Sequence, residues 1–376
     1  MNKKKYPKVL LLCSFNQNSA NGITINNLFK SWPKGYLRVV DFSDNSIGQI
    51  YVEHIDSYYC LGSKEINFLW PFNLLKKPPK SKEFELKSYK TKPRNKKSDR
   101  LSVLKKLFRN LQLWFLNKTG LVFISRNFKA SQELIKFITD FDPDIIYSSM
   151  SDISKLYFYK RLIEQTNTTG ALHVFDDFVN SKYERTLIPK FWEKKFKNQF
   201  INALSVTSIP LAISEKMATE YQYQFNREFY LFHNPIDPDI WMKEDESKKA
   251  NVGAKSETFS FVYAGKVNDD TIYPIKNFIK GIEELNLESK FNIAFNIYSP
   301  YDVTEIERQL GKRYTDNYFA GKALYNDLIN IFKEADGLLL PLANTESTIK
   351  YIRLSMLTKV TEYMISGTPI FTFAPK

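Results

Sequence analysis

The sequence has 376 residues, of which 43% are apolar, 15% aromatic and 25% charged, and its formal net charge at pH 7 is +13. This length exceeds what one hydrophobic core usually serves, and the apolar content excludes a disordered chain, so we expect two globular domains. The two cysteines, Cys13 and Cys60, exclude a disulfide-stapled secreted domain, and no stretch approaches the roughly 18 consecutive apolar residues of a membrane-spanning helix.

The N-terminus combines lysines at positions 3–5 with a short apolar run, a combination also found in signal peptides. The run leads into polar residues without a small-residue cleavage site, so we expect a buried strand of a parallel sheet over Lys8–Cys13. A polar loop then leads through Gly22 and Thr24 to a helix predicted from Asn26. The order of strand, glycine loop and helix is that of a Rossmann-like unit, and the loop can hold a ligand or serve only as a tight turn. A dinucleotide site is not indicated, because G-x-G-x-x-G is missing.

The positive charge is concentrated in one segment, from Pro71 to Lys118, with fifteen Lys or Arg and three acidic residues, or +12 of the total +13. Its first part, 76–99, predicts a loop, whereas apolar residues at helical spacing from Leu101 to Phe115 predict a basic amphipathic helix. Three interpretations remain open for 76–118: a docked surface helix, contact with an anionic membrane surface, and nucleic-acid binding. We do not expect nucleic acid, because no DNA- or RNA-binding motif accompanies the charges.

Strands and helices alternate from Ser131 to Phe178, which predicts a parallel α/β sheet. The strand Ala171–Phe175 contains His173 and is followed by Asp176 and Asp177. Ligands of open α/β sheets bind at the carboxyl ends of strands, so these three polar residues are candidates for a site. The structural alternative is a helix N-cap by Asp177 and a hydrogen-bonded core histidine.

A polar stretch over 241–257 predicts a linker between a first domain, 1–240, and a second domain, 258–376. The second domain opens with an apolar strand that ends in Gly265-Lys266, and Lys276 follows at the start of a helix. Fixed cations beside helix-terminal N–H groups suit a diphosphate, although two lysines at a strand end can also be merely solvated.

The C-terminal stretch Ser355–Phe373 predicts a helix, a turn and a buried strand, because Gly367 ends the helical pattern and Pro369 prevents its continuation. Lys359 and Glu362 interrupt the apolar pattern of the helix and lie three residues apart. This spacing places both side chains on one side of the helix.

This stretch resembles the nucleotide-sugar-binding helix of GT-B glycosyltransferases, in particular the family 4 retaining enzymes. The resemblance rests on Glu362 ahead of Gly367-Thr-Pro369-Ile, on Thr358-Lys359, and on Gly265-Lys266 followed by Lys276. It implies an α/β fold of two Rossmann-like domains. It also implies a donor that is a nucleotide diphosphate sugar, without a metal or a separate cofactor.

The resemblance implies roles for particular residues. The diphosphate would be contacted by Gly265, Lys266, Lys276, Thr358 and Lys359. The ribose would be contacted by Glu362. On the first domain, Gly22 and Thr24 would lie near the donor phosphates. His173 with Asp176 or Asp177 would lie on the acceptor side.

We therefore expect a retaining glycosyltransferase that acts on a saccharide or lipid-linked acceptor in bacterial surface-polysaccharide synthesis. We expect it in the cytoplasm or at the inner face of the plasma membrane. The alternatives are a non-catalytic GT-B scaffold and a GT-B nucleotide-sugar epimerase. Two features depart from the family: Leu354 stands where many members carry a first glutamate, and the chain stops at Lys376, which indicates an incomplete second domain.

Overall fold

A computed structural model of the chain describes residues 6–13, 20–42, 55, 57–69, 72–74, 77–85, 111, 113–149, 152–181, 183, 186–242, 258–288 and 292–374. Most of the predicted linker and residues 86–110 of the basic segment lie outside this description, as do Leu101, Leu104 and Phe108 of the predicted amphipathic helix. The chain forms two compact units: unit 1 is Met1–Asn234 with Arg353–Met356, and unit 2 is Pro235–Ile352 with Leu357–Lys376.

Unit 1 is built on a sheet whose described strands run in the order β10-β9-β8-β7-β1-β2-β3-β5. All pairs are parallel except β3 with β5, and a small antiparallel pair, β4 with β6, lies apart from the sheet. The strands are β1 (Val9–Cys13), β2 (Leu37–Asp41), β3 (Ser57–Cys60), β4 (Ile66–Phe68), β5 (Lys82–Glu85), β6 (Arg126–Phe128), β7 (Ile145–Ser148), β8 (Thr169–Val174), β9 (Thr207–Ala212) and β10 (Tyr230–Leu231).

Helices connect these parallel strands, as the alternating sequence predicts. They are α1 (Ala20–Phe29), α2 (residues 113–119), α3 (Gln132–Thr139), α4 (Ile153–Thr166), α5 (Phe178–Ser181), α6 (Pro189–Leu204) and α7 (Glu215–Phe225), with 3-10 turns at Phe72–Leu74 and Leu121–Ile124. The predicted helix is present over residues 26–29 but begins earlier, at Ala20, so Gly22 and Thr24 lie within helix α1 and not in a loop before it.

The core of unit 1 follows from the sequence pattern. Every residue of β1 is buried, as expected for a central parallel strand that is covered on both faces. Aromatic side chains of α6, namely Trp192, Phe196 and Phe200, fill one side of the sheet. Around α2 the apolar spacing does not predict which side chains are buried. Leu111 and Phe115, which belong to the predicted apolar face, are exposed, whereas Leu116 is buried.

Unit 2 has a five-stranded parallel sheet in the order β13-β12-β11-β14-β15. Its strands are β11 (Thr258–Ala264), β12 (Asn292–Tyr298), β13 (Phe319–Gly321), β14 (Gly337–Pro341) and β15 (Ile370–Phe373). Its helices are α8 (Pro238–Trp241), α9 (Ile272–Leu287), α10 (Val303–Leu310), α11 (Lys312–Tyr318), α12 (Tyr325–Glu334), α13 (Glu346–Ile352) and α14 (Thr358–Ser366). Strand β15 lies at the edge of the sheet, so Phe371 and Phe373 are exposed and the predicted buried strand is an edge strand.

One short segment belongs to unit 1, although the residues before and after it in the sequence belong to unit 2. Residues Arg353–Met356 belong to unit 1, although the sequence analysis placed them in the second domain. Leu354 is 1% exposed in the core of unit 1, and its carbonyl oxygen accepts a hydrogen bond of 2.7 Å from Ser214 Oγ. Within the stretch Ser355–Phe373, the helix begins only at Thr358, because Met356 packs against the core of unit 1.

Candidate functional site

The candidate site lies in unit 2, where β11 ends and α14 begins. Strand β11 is central in its sheet and leads directly into Gly265-Lys266. Helix α14 has Leu357 as its N-cap, and no side chain caps its first N–H groups. Gly367 ends the helix in the left-handed conformation, with a φ of 77°, as its position before Thr-Pro predicts. The sequence thus predicts the C-terminal end of the helix that carries Lys359 and Glu362, whereas the packing of Met356 in unit 1 sets its start.

Gly265 and Lys359 are brought together at this point. A Cβ atom added at Gly265 would collide with Lys359 Nζ and would lie 2.7 Å from Tyr263 Oη. Lys359 Nζ lies 4.3 Å from the centroid of the Tyr263 ring, which is a cation–π contact. The missing side chain at Gly265 is therefore what leaves room for the ammonium group.

The Tyr263 ring that supports Lys359 is held firmly. It is fully buried, and its hydroxyl donates a hydrogen bond of 2.7 Å to the carbonyl oxygen of Lys266. Thr271 Oγ1 donates to the same carbonyl oxygen over 3.0 Å. These bonds fix the turn after β11 and so the backbone on which Lys266 stands. Sequence analysis did not identify Tyr263, because an aromatic residue in a buried strand has no distinguishing signal.

Burial shifts the pKa values of the charged pair toward each other. It lowers the pKa of Lys359 to about 8, and the nearby Glu362 carboxylate offsets part of that effect. It raises the pKa of Glu362 to about 7, with Lys359 opposing the rise. Both groups therefore titrate near neutral pH, as groups at functional sites often do.

The resemblance implies a nucleoside diphosphate at this point, and Gly265→Ala is expected to weaken its binding about tenfold, because the new methyl group displaces the Lys359 ammonium. Titration calorimetry with UDP, a nucleoside diphosphate, measures this affinity. Gly281→Ala is the matched control, since a Cβ there has open space around it and the helix interior favours alanine. Unchanged UDP affinity in Gly265→Ala would show that the position of Lys359 does not matter.

The two other lysines that were expected to contact the diphosphate, Lys266 and Lys276, differ in their surroundings. Lys266 is exposed beside Gly265, at the same end of the sheet. Lys276, in the second turn of α9, has its Nζ 5.7 Å from the centroid of the Tyr314 ring of α11. Thr358 is the first residue of α14. The structure therefore groups Gly265, Lys266, Thr358, Lys359 and Glu362 at one end of unit 2, while Lys276 is directed to α11.

In unit 1, His173 lies inside the core. It is fully buried between the rings of Phe175 and Phe232, and its Nδ1 lies 2.7 Å from the hydroxyl oxygen of Tyr147. Burial lowers its pKa to about 3, so the ring is neutral at physiological pH. Residues 170–174 of β8 are all buried, and His173 packs against aromatic rings there, which gives it a packing role.

Asp177 is also fully buried, whereas Asp176 keeps partial exposure at the end of β8. Asp177 Oδ1 accepts hydrogen bonds from Tyr221 Oη at 2.9 Å and Asn180 Nδ2 at 2.8 Å, and Arg353 Nε lies 3.9 Å from its Oδ2. Burial raises the pKa of Asp177, against these hydrogen bonds and the Arg353 charge. Asp177 thus anchors the segment Arg353–Met356 to unit 1. Sequence analysis missed Arg353, because its partner is distant in sequence.

Gly22 and Thr24 are both buried on α1, and the loop that precedes this helix lies outside the described residues. In the described part of the chain, no three His, Cys, Asp or Glu side chains gather in an arrangement that could hold a metal ion. No helix among the described residues combines the length and the apolar character that crossing a membrane requires.

The sequence matches no family model, and no curated protein is significantly similar to it. Solved structures are similar in fold. Anabaena HepE in complex with UDP and glucose has a TM-score of 0.56 and 12% identity, over 98% of this chain and 80% of HepE. Sucrose-phosphate synthase from Thermosynechococcus elongatus has a TM-score of 0.57 and 11% identity, over 97% and 81%.

A third similar structure is the catalytic domain of Arabidopsis thaliana starch synthase IV, bound to ADP and acarbose. Its TM-score is 0.50 and its identity 12%, over 98% of this chain and 84% of that domain. These proteins are GT-B glycosyltransferases. The predicted fold is therefore confirmed: the chain has the GT-B fold, with two Rossmann-like α/β units.

Proposed function

We propose that this protein is a glycosyltransferase that takes a sugar from a nucleotide diphosphate sugar, and that unit 2 binds the donor. One observation carries the proposal: the Lys359 ammonium is held against Gly265 and the Tyr263 ring, at the N-terminus of α14 and the carboxyl end of β11. This is the end of an open parallel sheet at which ligands bind. The similarity in fold to HepE, which was solved with UDP, supports the same assignment.

The proposed roles follow from charge. Negative charge builds up on a diphosphate as it leaves the sugar, and a fixed cation with helix-terminal N–H groups stabilises that charge. Lys359 and Thr358 supply these groups, and exposed Lys266 adds a second cation beside Gly265. Glu362, one turn along α14, accepts hydrogen bonds from the ribose hydroxyls. Lys276 has a lesser role, because its ammonium contacts Tyr314.

The finer assignments are also proposals. The acceptor is a saccharide or a lipid-linked saccharide, transfer retains the anomeric configuration without a metal ion, and the product belongs to a bacterial surface polysaccharide. We place the protein in the cytoplasm. Of the predicted acceptor-side residues, only Asp176 has a partly exposed side chain at a strand end. The resemblance of the C-terminal stretch to family 4 enzymes supports these assignments.

The two shifted pKa values predict how donor binding depends on pH. Lys359 is charged below about pH 8, so affinity for the diphosphate falls as pH rises through 8. Glu362 is ionised above about pH 7, so its hydrogen bonds with ribose are lost as pH falls through 7. Calorimetric titration with UDP-glucose, GDP-mannose and ADP-glucose from pH 5 to 10 tests this, and we expect maximal affinity for one of them between about 7 and 8.

Two variants test which residue causes the acidic limb and which the alkaline limb of the plot of donor affinity against pH. Lys359→Met should remove the alkaline limb and shift the acidic limb to higher pH, because the Lys359 charge lowers the pKa of Glu362. Glu362→Gln should remove the acidic limb and shift the alkaline limb to lower pH, because the Glu362 charge raises the pKa of Lys359. Sugar nucleotides suit the test, since their diphosphate has no titration near neutral pH, unlike a terminal phosphate. A chain that binds none of the three donors at any pH would contradict the proposal and favour a scaffold. Conversion of a bound sugar to its epimer without release of the nucleoside diphosphate would favour an epimerase.

A further inference from the structure

Unit 1 presents a group of large apolar side chains to solvent. They belong to α2, to the two residues before α6 and to the first turn of α6, and each is between 44% and 71% exposed. Scattered single exposed apolar residues are ordinary, but six on two adjoining stretches are not. The six, which we name the apolar patch, are Leu113, Trp114, Phe115, Leu187, Ile188 and Phe191.

Hydrogen bonds join the two stretches that carry the apolar patch. The backbone N–H of Leu187 donates a hydrogen bond of 2.7 Å to the carbonyl oxygen of Lys118. The indole N–H of Trp192, a buried residue, donates over 2.8 Å to the carbonyl oxygen of Thr119. Gly120, with a φ of 77°, has no Cβ that would collide with this indole. These contacts hold the two stretches that carry the apolar patch in a fixed position relative to each other.

The charges around the apolar patch are mostly positive. The described residues 113–119 and 186–197 include five lysines, at 118, 190, 194, 195 and 197, and one acidic residue, Glu193. Lys195 Nζ lies 5.7 Å from the centroid of the Phe191 ring, so a cation stands directly beside the patch.

We propose that the apolar patch docks the protein on an anionic lipid bilayer. Aromatic and aliphatic side chains enter the headgroup region, and lysines beside them are attracted to anionic lipids. A second copy of the chain fits the patch poorly, because a two-fold contact would bring the two sets of lysines together. Nucleic acid would leave the aliphatic side chains of Leu113, Leu187 and Ile188 without a partner. The inference does not depend on the proposed transferase activity.

Vesicle sedimentation of the full chain tests the proposal. We expect binding to vesicles that contain phosphatidylglycerol, and at least about tenfold weaker binding to pure phosphatidylcholine vesicles. The double variant Leu187→Ser, Phe191→Ser should weaken binding to the anionic vesicles by about tenfold or more. The double variant Lys190→Glu, Lys194→Glu should weaken binding to the anionic vesicles by a similar factor. Added salt should weaken the binding of the parent protein to these vesicles. Brominated lipid should quench tryptophan fluorescence in the parent and much less in Trp114→Phe.

Matched controls lie elsewhere on the surface. Tyr223→Ser changes the aromatic side chain of α7 that is 90% exposed, and Lys280→Glu changes an exposed lysine of α9, so both should bind like the parent. Thermal unfolding should be the same for all variants, because every changed side chain is exposed or at the edge of the core. Equal binding to both vesicle types, or binding that is insensitive to the patch variants, would overturn the proposal. Capture of RNA or self-association in place of vesicle binding would overturn it as well.

Discussion

Lys359→Met is expected to reduce release of the nucleoside diphosphate from the donor about 10²- to 10³-fold, the usual loss when one preorganised charged donor is removed from a reacting group. UDP affinity should fall roughly tenfold to a hundredfold, since a hydrogen bond to a charged group contributes about 1.5–3 kcal/mol. The same change should raise the free energy of unfolding at neutral pH. The lowered pKa of Lys359 shows that burial disfavours its charged form, and methionine of similar length removes that cost.

This combination of opposite effects separates a binding role from a structural one. Calorimetry measures the loss of UDP affinity, and thermal unfolding without ligand measures the gain in stability. Lys280→Met is the control, because Lys280 is exposed on α9 and should change neither quantity. If Lys359→Met lost stability and kept its affinity for UDP, Lys359 would be a structural residue and the proposed donor site would be wrong.

Leu354→Glu is expected to destabilise unit 1 by about 4 kcal/mol or more, from lost packing and the burial of a carboxylate. Many family 4 enzymes carry a glutamate at the matching position, so the sequence alone suggests that this change restores a donor contact. The structure predicts the reverse, because Leu354 is 1% exposed in the core of unit 1 and Met356 packs beside it. Donor affinity should therefore not improve.

Hydrogen exchange resolved by peptide is the appropriate measurement, since the two units need not unfold together. Protection should fall in unit 1, most around Ser214, whose hydroxyl donates to the Leu354 carbonyl oxygen. Leu354→Met keeps volume and polarity, and should cost less than about 1.5 kcal/mol. A Leu354→Glu protein as stable as its parent, with tighter donor binding, would place this residue at the donor site instead.

In unit 2 the local pattern predicts the end of the helix that carries Lys359 and Glu362. Helix α14 ends at Gly367, as predicted, because glycine readily adopts the left-handed conformation and Pro369 prevents the helix from continuing. The pairing of Gly265 with Lys359 could not be derived from local pattern, since it joins the end of β11 to a helix that is distant in sequence.

In unit 1, a position near the carboxyl end of a strand does not by itself predict that a polar side chain is available to a ligand. His173 and Asp177 follow the rule for position, but their side chains are buried, one among aromatic rings and one against Tyr221 and Asn180. Residues 170–174 of β8 are all buried, so alternation along the strand does not decide which polar group is exposed. The packing around each side chain decides it. Among these predicted residues, only Asp176 keeps partial exposure.

The sequence by itself determined the α/β class, the parallel strands and the C-terminal end of α14, because apolar periodicity and the backbone preferences of glycine and proline act over a few residues. The tertiary structure alone decided that Arg353–Met356 belongs to unit 1 and that Leu354 is a core residue. It also decided that Lys359 stands against Gly265 and Tyr263. Each of these depends on contacts between residues far apart in the chain, whose free energies come from burial and from the pairing of polar groups, which no local pattern records.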